Sequence, residues 1–222
     1  CITRPRRFGK TVMANMVSAF FSHGVDSTEI FSKLKIAEST GYKKHLNTHD
    51  VIRIDFSRMP RNCNSYDQYI ERIERILIQD LMEAYPKADI QEEDAVWDSL
   101  DLVYERYGCQ RFIFVFDEWD CIFHKDFITD EDKKKYISFL SSLLKDKAYV
   151  LLSYMTGILP IAKYSSGSEL NMFAEYTMVS EEKFSDAFGF TEAEVDMLYA
   201  LFLKNTGKPL LSRSGLKEWY DG

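Results

Sequence analysis

Apolar residues recur along this chain at two alternating periods. Near the start, Met13, Met16, Val17, Phe20 and Phe21 fall at helical spacing, with Gly24 where a C-cap glycine belongs. Val51–Phe56 (VIRIDF) then reads as a short strand. Ser65–Tyr85 reads as a long helix that presents Ile70, Ile73, Leu77 and Leu81 on one face before Pro86 stops it. A second helix, over about Glu92–Tyr107, carries Val96, Leu100, Val103 and Tyr107 and ends at Gly108. Arg111–Phe116 (RFIFVF) is apolar without alternation, the pattern of a strand buried on both faces. Asp130 stands where it can cap a helix running through Phe139, Leu143 and Leu144, and Tyr149–Tyr154 (YVLLSY) predicts another buried strand.

Strands alternating with helices predict an α/β fold, a parallel sheet flanked by helices, with ligands beyond the carboxyl ends of the strands. After Gly157 the strand signals fade, and Tyr164–Asn171 is the most loop-like stretch. Thr191–Glu194 then forms a capping-box pattern opening a helix through Leu198 and Leu201, and a short helix follows over Leu216–Tyr220. The expected organisation is a core over residues 1–180 and a small helical subdomain over residues 181–222. Cys1–Thr3 is expected to be the end of a truncated leading strand, and the chain to be a piece of a longer protein.

Composition narrows the function classes. Hydrophobic residues at 45% and charged residues at 28% describe an ordinary folding domain. A formal net charge of -7 argues against a broad basic face, so any polyanion must be held by a focused site, and nucleic acid is left open as a partner. Cys1, Cys63, Cys109 and Cys121 have neither zinc-site spacing nor the density of a disulfide scaffold, which fits a reducing cytoplasm. No run of eighteen apolar residues suits a membrane span. His23, His45, His49 and His124 are scattered and suggest no site of their own.

The chemistry sits in two short segments. Gly9-Lys10-Thr11 matches the end of the phosphate-loop (Walker A) pattern G-x-x-x-x-G-K-[ST], with Arg4 in place of the first glycine. Such a tripeptide arises by chance in roughly one chain in ten of this size, so position decides its meaning. It lies between a strand end and a helix start, where free N–H groups and the helix dipole favour an anion. Arg6 and Arg7 add guanidinium groups suited to phosphate oxygens, and Phe8 completes the loop. The second segment is the apolar strand ending in Asp117-Glu118, a Walker B arrangement. Asp117 is the candidate ligand for Mg²⁺ together with Thr11, and Glu118 the candidate general base for water. Thr156, at the end of the next strand, is a candidate sensor of the γ-phosphate or the lytic water.

Arg4-Pro-Arg-Arg-Phe-Gly-Lys-Thr11, Phe116-Asp-Glu-Trp-Asp120, Thr156-Gly-Ile158, Phe188–Val195 and Trp219-Tyr-Asp-Gly222 together resemble the predicted AAA-ATPase-like family of P-loop proteins. In that family an Arg commonly replaces the first loop glycine, and a PD-(D/E)XK nuclease-like region often follows. The resemblance implies ATP and Mg²⁺ as ligands, phosphate binding by Lys10 and Thr11, metal binding by Asp117 and water activation by Glu118. It also implies a nuclease-like neighbour beyond Gly222. Trp119 stands where the family more often has Tyr, and Asp120 matches the family without an assigned role. Three functions stay open at this point: an ATPase, an ATP-dependent switch with negligible turnover that controls a neighbouring effector domain, and a small-molecule kinase. The Asp-Glu pair and the lack of lid arginines argue against the kinase. The lack of an assignable arginine finger argues for slow turnover until a partner supplies one.

Overall fold

In the computed structural model, which describes residues 1–60, 62–164, 169–177, 183–184, 187–207 and 212–221, four strands form one parallel sheet. They are β1 (Ile2–Thr3), β2 (Asp50–Asp55), β3 (Phe112–Asp117) and β4 (Val150–Gly157), in the spatial order β1-β4-β3-β2. Helices α1 (Lys10–Phe21), α2 (Thr28–Phe31) and α3 (Tyr42–His45) connect β1 to β2. Helices α4 (Tyr66–Ala84) and α5 (Val96–Arg106) connect β2 to β3, and α6 (Asp130–Leu144) connects β3 to β4. The protein is an α/β fold with a parallel sheet flanked by helices.

The strand pleat sorts side chains to the two faces. On one face Ile113 and Val115 of β3, Val51 of β2 and Tyr154 of β4 meet Ala14, Val17 and Phe21 of α1. On the other, Phe112, Phe114 and Phe116 of β3 and Met155 of β4 join the large core built with α4, α5 and α6, including Tyr69, Leu81, Leu100, Val103, Tyr136 and Leu140. Every residue of β3 is buried, as a continuous apolar run demands of a central strand. The first half of β4 departs from the expected burial, with Leu151 and Leu152 each 43% exposed. Strand order is the reason: β1 covers β4 only at Thr156 and Gly157.

Element ends differ from the sequence reading for local reasons. Helix α1 stops at Phe21 with Ser22, not Gly24, as C-cap, because the chain leaves it extended and His23 donates its N–H to the carbonyl of His49 at 3.1 Å. Helix α5 begins at Val96 instead of Glu92, because the Asp94 carboxylate accepts the Gln91 N–H at 2.8 Å and closes a turn there. The N-cap of α6 is Thr129, not Asp130; Thr129 and Asp132 form a reciprocal capping box.

The chain divides into two compact units, residues 1–181 and 182–222. In the second, α7 (Glu192–Thr206) opens on a capping box between Thr191 and Glu194 and closes at Gly207 in the left-handed region, where only glycine is unstrained. Helix α8 (Arg213–Asp221) is tied to α7 through Arg213, whose Nε donates to Asp196 at 2.6 Å and whose Nη2 donates to Glu192. Residues 165–168 of the expected loop lie outside the described residues. No described helix is long and apolar enough to cross a membrane.

Candidate functional site

Between β1 and α1 the chain makes a tight loop in which Arg7 (φ 70°) and Gly9 (φ 80°) both take the left-handed conformation. Alternation of this kind turns successive N–H groups toward one point and forms an anion-binding concavity. Gly9 is also the N-cap of α1. The helix has no side-chain cap and no acidic residue in its first turn, so its positive end is left for a ligand. Lys10 is buried and folds back over the loop, its Nζ donating to the Pro5 carbonyl at 3.0 Å. Arg6 and Arg7 are exposed on the loop, Phe8 is half-buried, and Thr11 lies exposed in the first helical turn.

Arg4 behaves unlike its neighbours. It is buried, and its Nη1 donates to the carbonyls of Thr3 at 2.8 Å and Tyr176 at 3.0 Å. Tyr176 itself bridges to Ile2 in parallel, so β1 is flanked on both sides and the loop starts from the interior of the sheet edge. The residue that replaces the first loop glycine therefore braces the root of the loop.

Because β4 lies between β1 and β3, its end separates the loop from the acidic strand. Asp117 follows Val115 by two positions and shares its face, the face covered by α1. Thr156 follows Tyr154 in the same way on β4. Eight buried side-chain polar atoms lack a hydrogen-bond partner among the described residues, and four of them are here: both carboxylate oxygens of Asp117, Thr156 Oγ1 and the Tyr154 hydroxyl. Native interiors satisfy nearly all such groups, so a concentration of them marks a place built for a polar ligand. Burial pushes the Asp117 carboxyl above its ordinary range; the Thr11 hydroxyl opposes this from outside hydrogen-bond geometry, and Asp55, its register partner on β2, reinforces it.

Glu118 follows with φ 53°, a left-handed conformation that costs a side-chain-bearing residue roughly 1–3 kcal/mol. Burial raises its carboxyl as well, opposed by the charge of Lys10 and reinforced by Asp117, Asp120 and Asp55. The structure thus brings Lys10, Thr11, Asp117, Glu118 and Thr156 to one end of the sheet, while Arg6 and Arg7 stand on its open side. The sequence reading missed Asp55, Tyr154 and the bracing role of Arg4. Strand parity would have put Asp55 and Tyr154 on the right face, had the strand order been legible.

The turn that carries Glu118 is pinned from all sides. Trp119 N–H donates to the Thr156 carbonyl at 3.1 Å, the Tyr136 hydroxyl donates to the Trp119 carbonyl at 2.8 Å, and Cys121 N–H donates to the Glu118 carbonyl at 2.9 Å.

Residues 1–166 match the family model described as predicted AAA-ATPase, which covers most of the 222 residues. The chain belongs to the predicted AAA-ATPase family. One curated relative, described as an uncharacterized protein in the vnfD 5' region of Azotobacter chroococcum mcd 1, is 25% identical over 226 residues. That alignment takes in 100% of this chain but only 41% of the relative, so the chain spans less than half the length of the protein it matches. No solved structure matches it significantly. Membership of a predicted AAA-ATPase family supports nucleotide binding of the ATPase kind.

Proposed function

We propose that this domain binds ATP with Mg²⁺ and hydrolyses it. One observation carries the reading: the buried Asp117 carboxylate, both oxygens without a hydrogen-bond partner among the described residues, beside Thr11 at the mouth of a loop that holds Lys10. A hard divalent cation takes oxygen ligands of this kind, so Asp117 and the Thr11 hydroxyl fit Mg²⁺. When bound, the ion neutralises charge on the β- and γ-phosphates.

The loop N–H groups and the N-terminus of α1 receive the phosphates, and Lys10 exchanges the Pro5 carbonyl for phosphate oxygens. Arg6 and Arg7 add charge from the open side. Glu118, ionised, takes the proton from a water that attacks the γ-phosphorus, while the bond to the bridging oxygen breaks and ADP leaves. Thr156 hydrogen-bonds the γ-phosphate or that water. Four cysteines, all free, fit a cytoplasmic setting.

A second reading is favoured by the arginines. Arg4 is engaged with backbone carbonyls and Arg213 with two carboxylates of its own unit, so neither is held ready as a finger for the transition state. The domain is then a slow ATP-dependent switch until a partner or a neighbouring domain supplies that charge, a nuclease-like effector being one such neighbour. Phosphate release from full-length protein, with and without DNA, tests both readings. Lys10→Ala should weaken ATP binding by roughly 10–100-fold, the worth of a hydrogen bond to a charged group. Glu118→Gln should bind ATP normally and slow phosphate release by roughly 100–10,000-fold, leaving a residual rate. Unchanged ATP affinity in the Lys10 variant would rule out this site, and unchanged turnover in the Glu118 variant would rule out the base.

A further inference from the structure

Asp120 follows the acidic pair, stands at the N-cap of the 3-10 turn Cys121–His124, and makes no side-chain cap there. An Asp in that position ordinarily bonds the N–H groups of its own turn. Here the carboxylate reaches across to the end of β4 instead. Oδ1 accepts Ile158 N–H at 3.2 Å, and Oδ2 accepts Ile158 N–H at 3.1 Å and Leu159 N–H at 2.8 Å. Asp120 is only 1% exposed, so these charge-assisted bonds form away from water.

The peptide unit between Gly157 and Ile158 is consequently held from both sides. Its carbonyl accepts Arg4 N–H at 3.1 Å, at the root of the phosphate loop, and its N–H is held by Asp120, two residues after Glu118. Gly157 leaves no slack in this junction: a Cβ built there would lie 2.4 Å from Trp119 Cδ1 and 2.5 Å from Asp120 Oδ1. A single peptide plane therefore ties together the loop, the strand end that bears Thr156 and the turn that bears Glu118.

We propose that Asp120 is a positioning residue for phosphate release: by clamping the β4 end to the 118–120 turn it keeps Glu118 in its left-handed conformation and in register with Thr156 and the loop. The inference rests on the hydrolytic reading above. Asp120 touches neither nucleotide nor water in this role and acts only through Glu118. Loss of the clamp lets the turn relax, and misplacement of a base by about 1 Å is enough to slow a reaction by roughly 100-fold.

The test compares full-length wild-type protein with Asp120→Asn, Glu118→Gln and the double variant, measuring steady-state phosphate release and ATP affinity. Asp120→Asn should lower kcat by at least tenfold while ATP affinity stays within threefold. In the Glu118→Gln background the same substitution should cost nothing further, because its effect runs through the base; a loosened fold would instead lower residual turnover by the same factor in both backgrounds. Equal losses in the two backgrounds, or wild-type kcat in Asp120→Asn, overturn the proposal while leaving the ATPase reading intact. Wild-type protein that releases no phosphate sinks the hydrolytic reading and this inference with it. If Asp120→Asn does not fold, Asp120→Glu, which keeps both acceptor oxygens on a longer arm, carries the comparison: lowered kcat with retained affinity supports the clamp, and wild-type kcat overturns it.

Discussion

Arg4 and Gly157 are joined backbone to backbone, the N–H of Arg4 donating to the Gly157 carbonyl at 3.1 Å, while the Arg4 side chain turns away from the loop to the Thr3 and Tyr176 carbonyls. One guanidinium nitrogen serves both carbonyls from a fixed plane, whereas a lysine ammonium has donors enough but a shorter, more flexible reach. Arg4→Ala should therefore cost stability, about 1.5–3 kcal/mol for a charged hydrogen-bond donor, or roughly 3–12 °C in Tm for a chain of this size. Arg4→Lys should recover only part of it. Calorimetric melts decide the matter, and a variant with unchanged Tm but lost ATP binding would move Arg4 onto the phosphates.

Asp117 offers the opposite trade. Its folded-state pKa lies above the ordinary 3.8, chiefly through burial, so the native state holds the proton more tightly than the unfolded chain. The group favours the fold at low pH, and that contribution is lost as pH rises through the raised pKa; at neutral pH the ionised carboxylate is a cost. Asp117→Asn should raise the Tm of nucleotide-free protein at pH 7, each kcal/mol being worth roughly 2–4 °C, and should remove the Mg²⁺ dependence of ATP binding. A lower Tm in the Asn variant would mean that the carboxylate is satisfied within the fold.

Much of the fold was legible because burial leaves a periodic trace. The Phe112–Phe116 run had to be central, and the helix over Ser65–Tyr85 carries an unbroken apolar stripe up to Pro86. Strand order left no such trace. Nothing in the residues of β4 says that it lies between β1 and β3, and that placement sets both the exposure of Leu151 and Leu152 and the position of Thr156. The loop and the Asp-Glu pair stood out as candidates because phosphate and metal chemistry restricts residue type at short spacing. Asp120 could not, since its partners are backbone N–H groups 38 and 39 residues away and backbone groups have no sequence signature.

The acid limb of turnover should report Glu118. A general base must be ionised, and burial holds this carboxyl above its ordinary 4.5, with Lys10 pulling the other way. Log kcat should fall with unit slope as pH drops through a midpoint higher than 4.5. A limb centred at or below the ordinary value would assign the titration to another group.

At the opposite end of β2 three of the four histidines, His23, His45 and His49, are neighbours, while His124 stands apart in the turn after β3. His45 Nδ1 and His49 Nε2 share a hydrogen bond of 2.9 Å with their rings stacked, Phe21 meets both edge-on, and His23 pairs with Asp50 at 3.1 Å. Sharing one proton between the two rings requires at least one to be neutral. Burial, with His45 and Lys44 adding to it and Asp50 opposing, lowers the His49 pKa below 6.5. The unfolded chain then takes up a proton first as pH falls, so stability should decline below about pH 6.5 until the native pKa is passed. His49→Gln should flatten that decline in melts between pH 7 and pH 5, and an unchanged slope would assign the loss to other groups.

The fit of Gly157 against Trp119 and Asp120 also limits how this sequence can drift. Any side chain at 157 displaces the carboxylate that holds the next peptide, and loss of that carboxylate takes the acceptor from the Ile158 and Leu159 N–H groups, so neither position can be altered first without loss. Substitution there is open only to paired change, which makes the junction a place where descendants of this sequence should remain alike while the surfaces around them diverge.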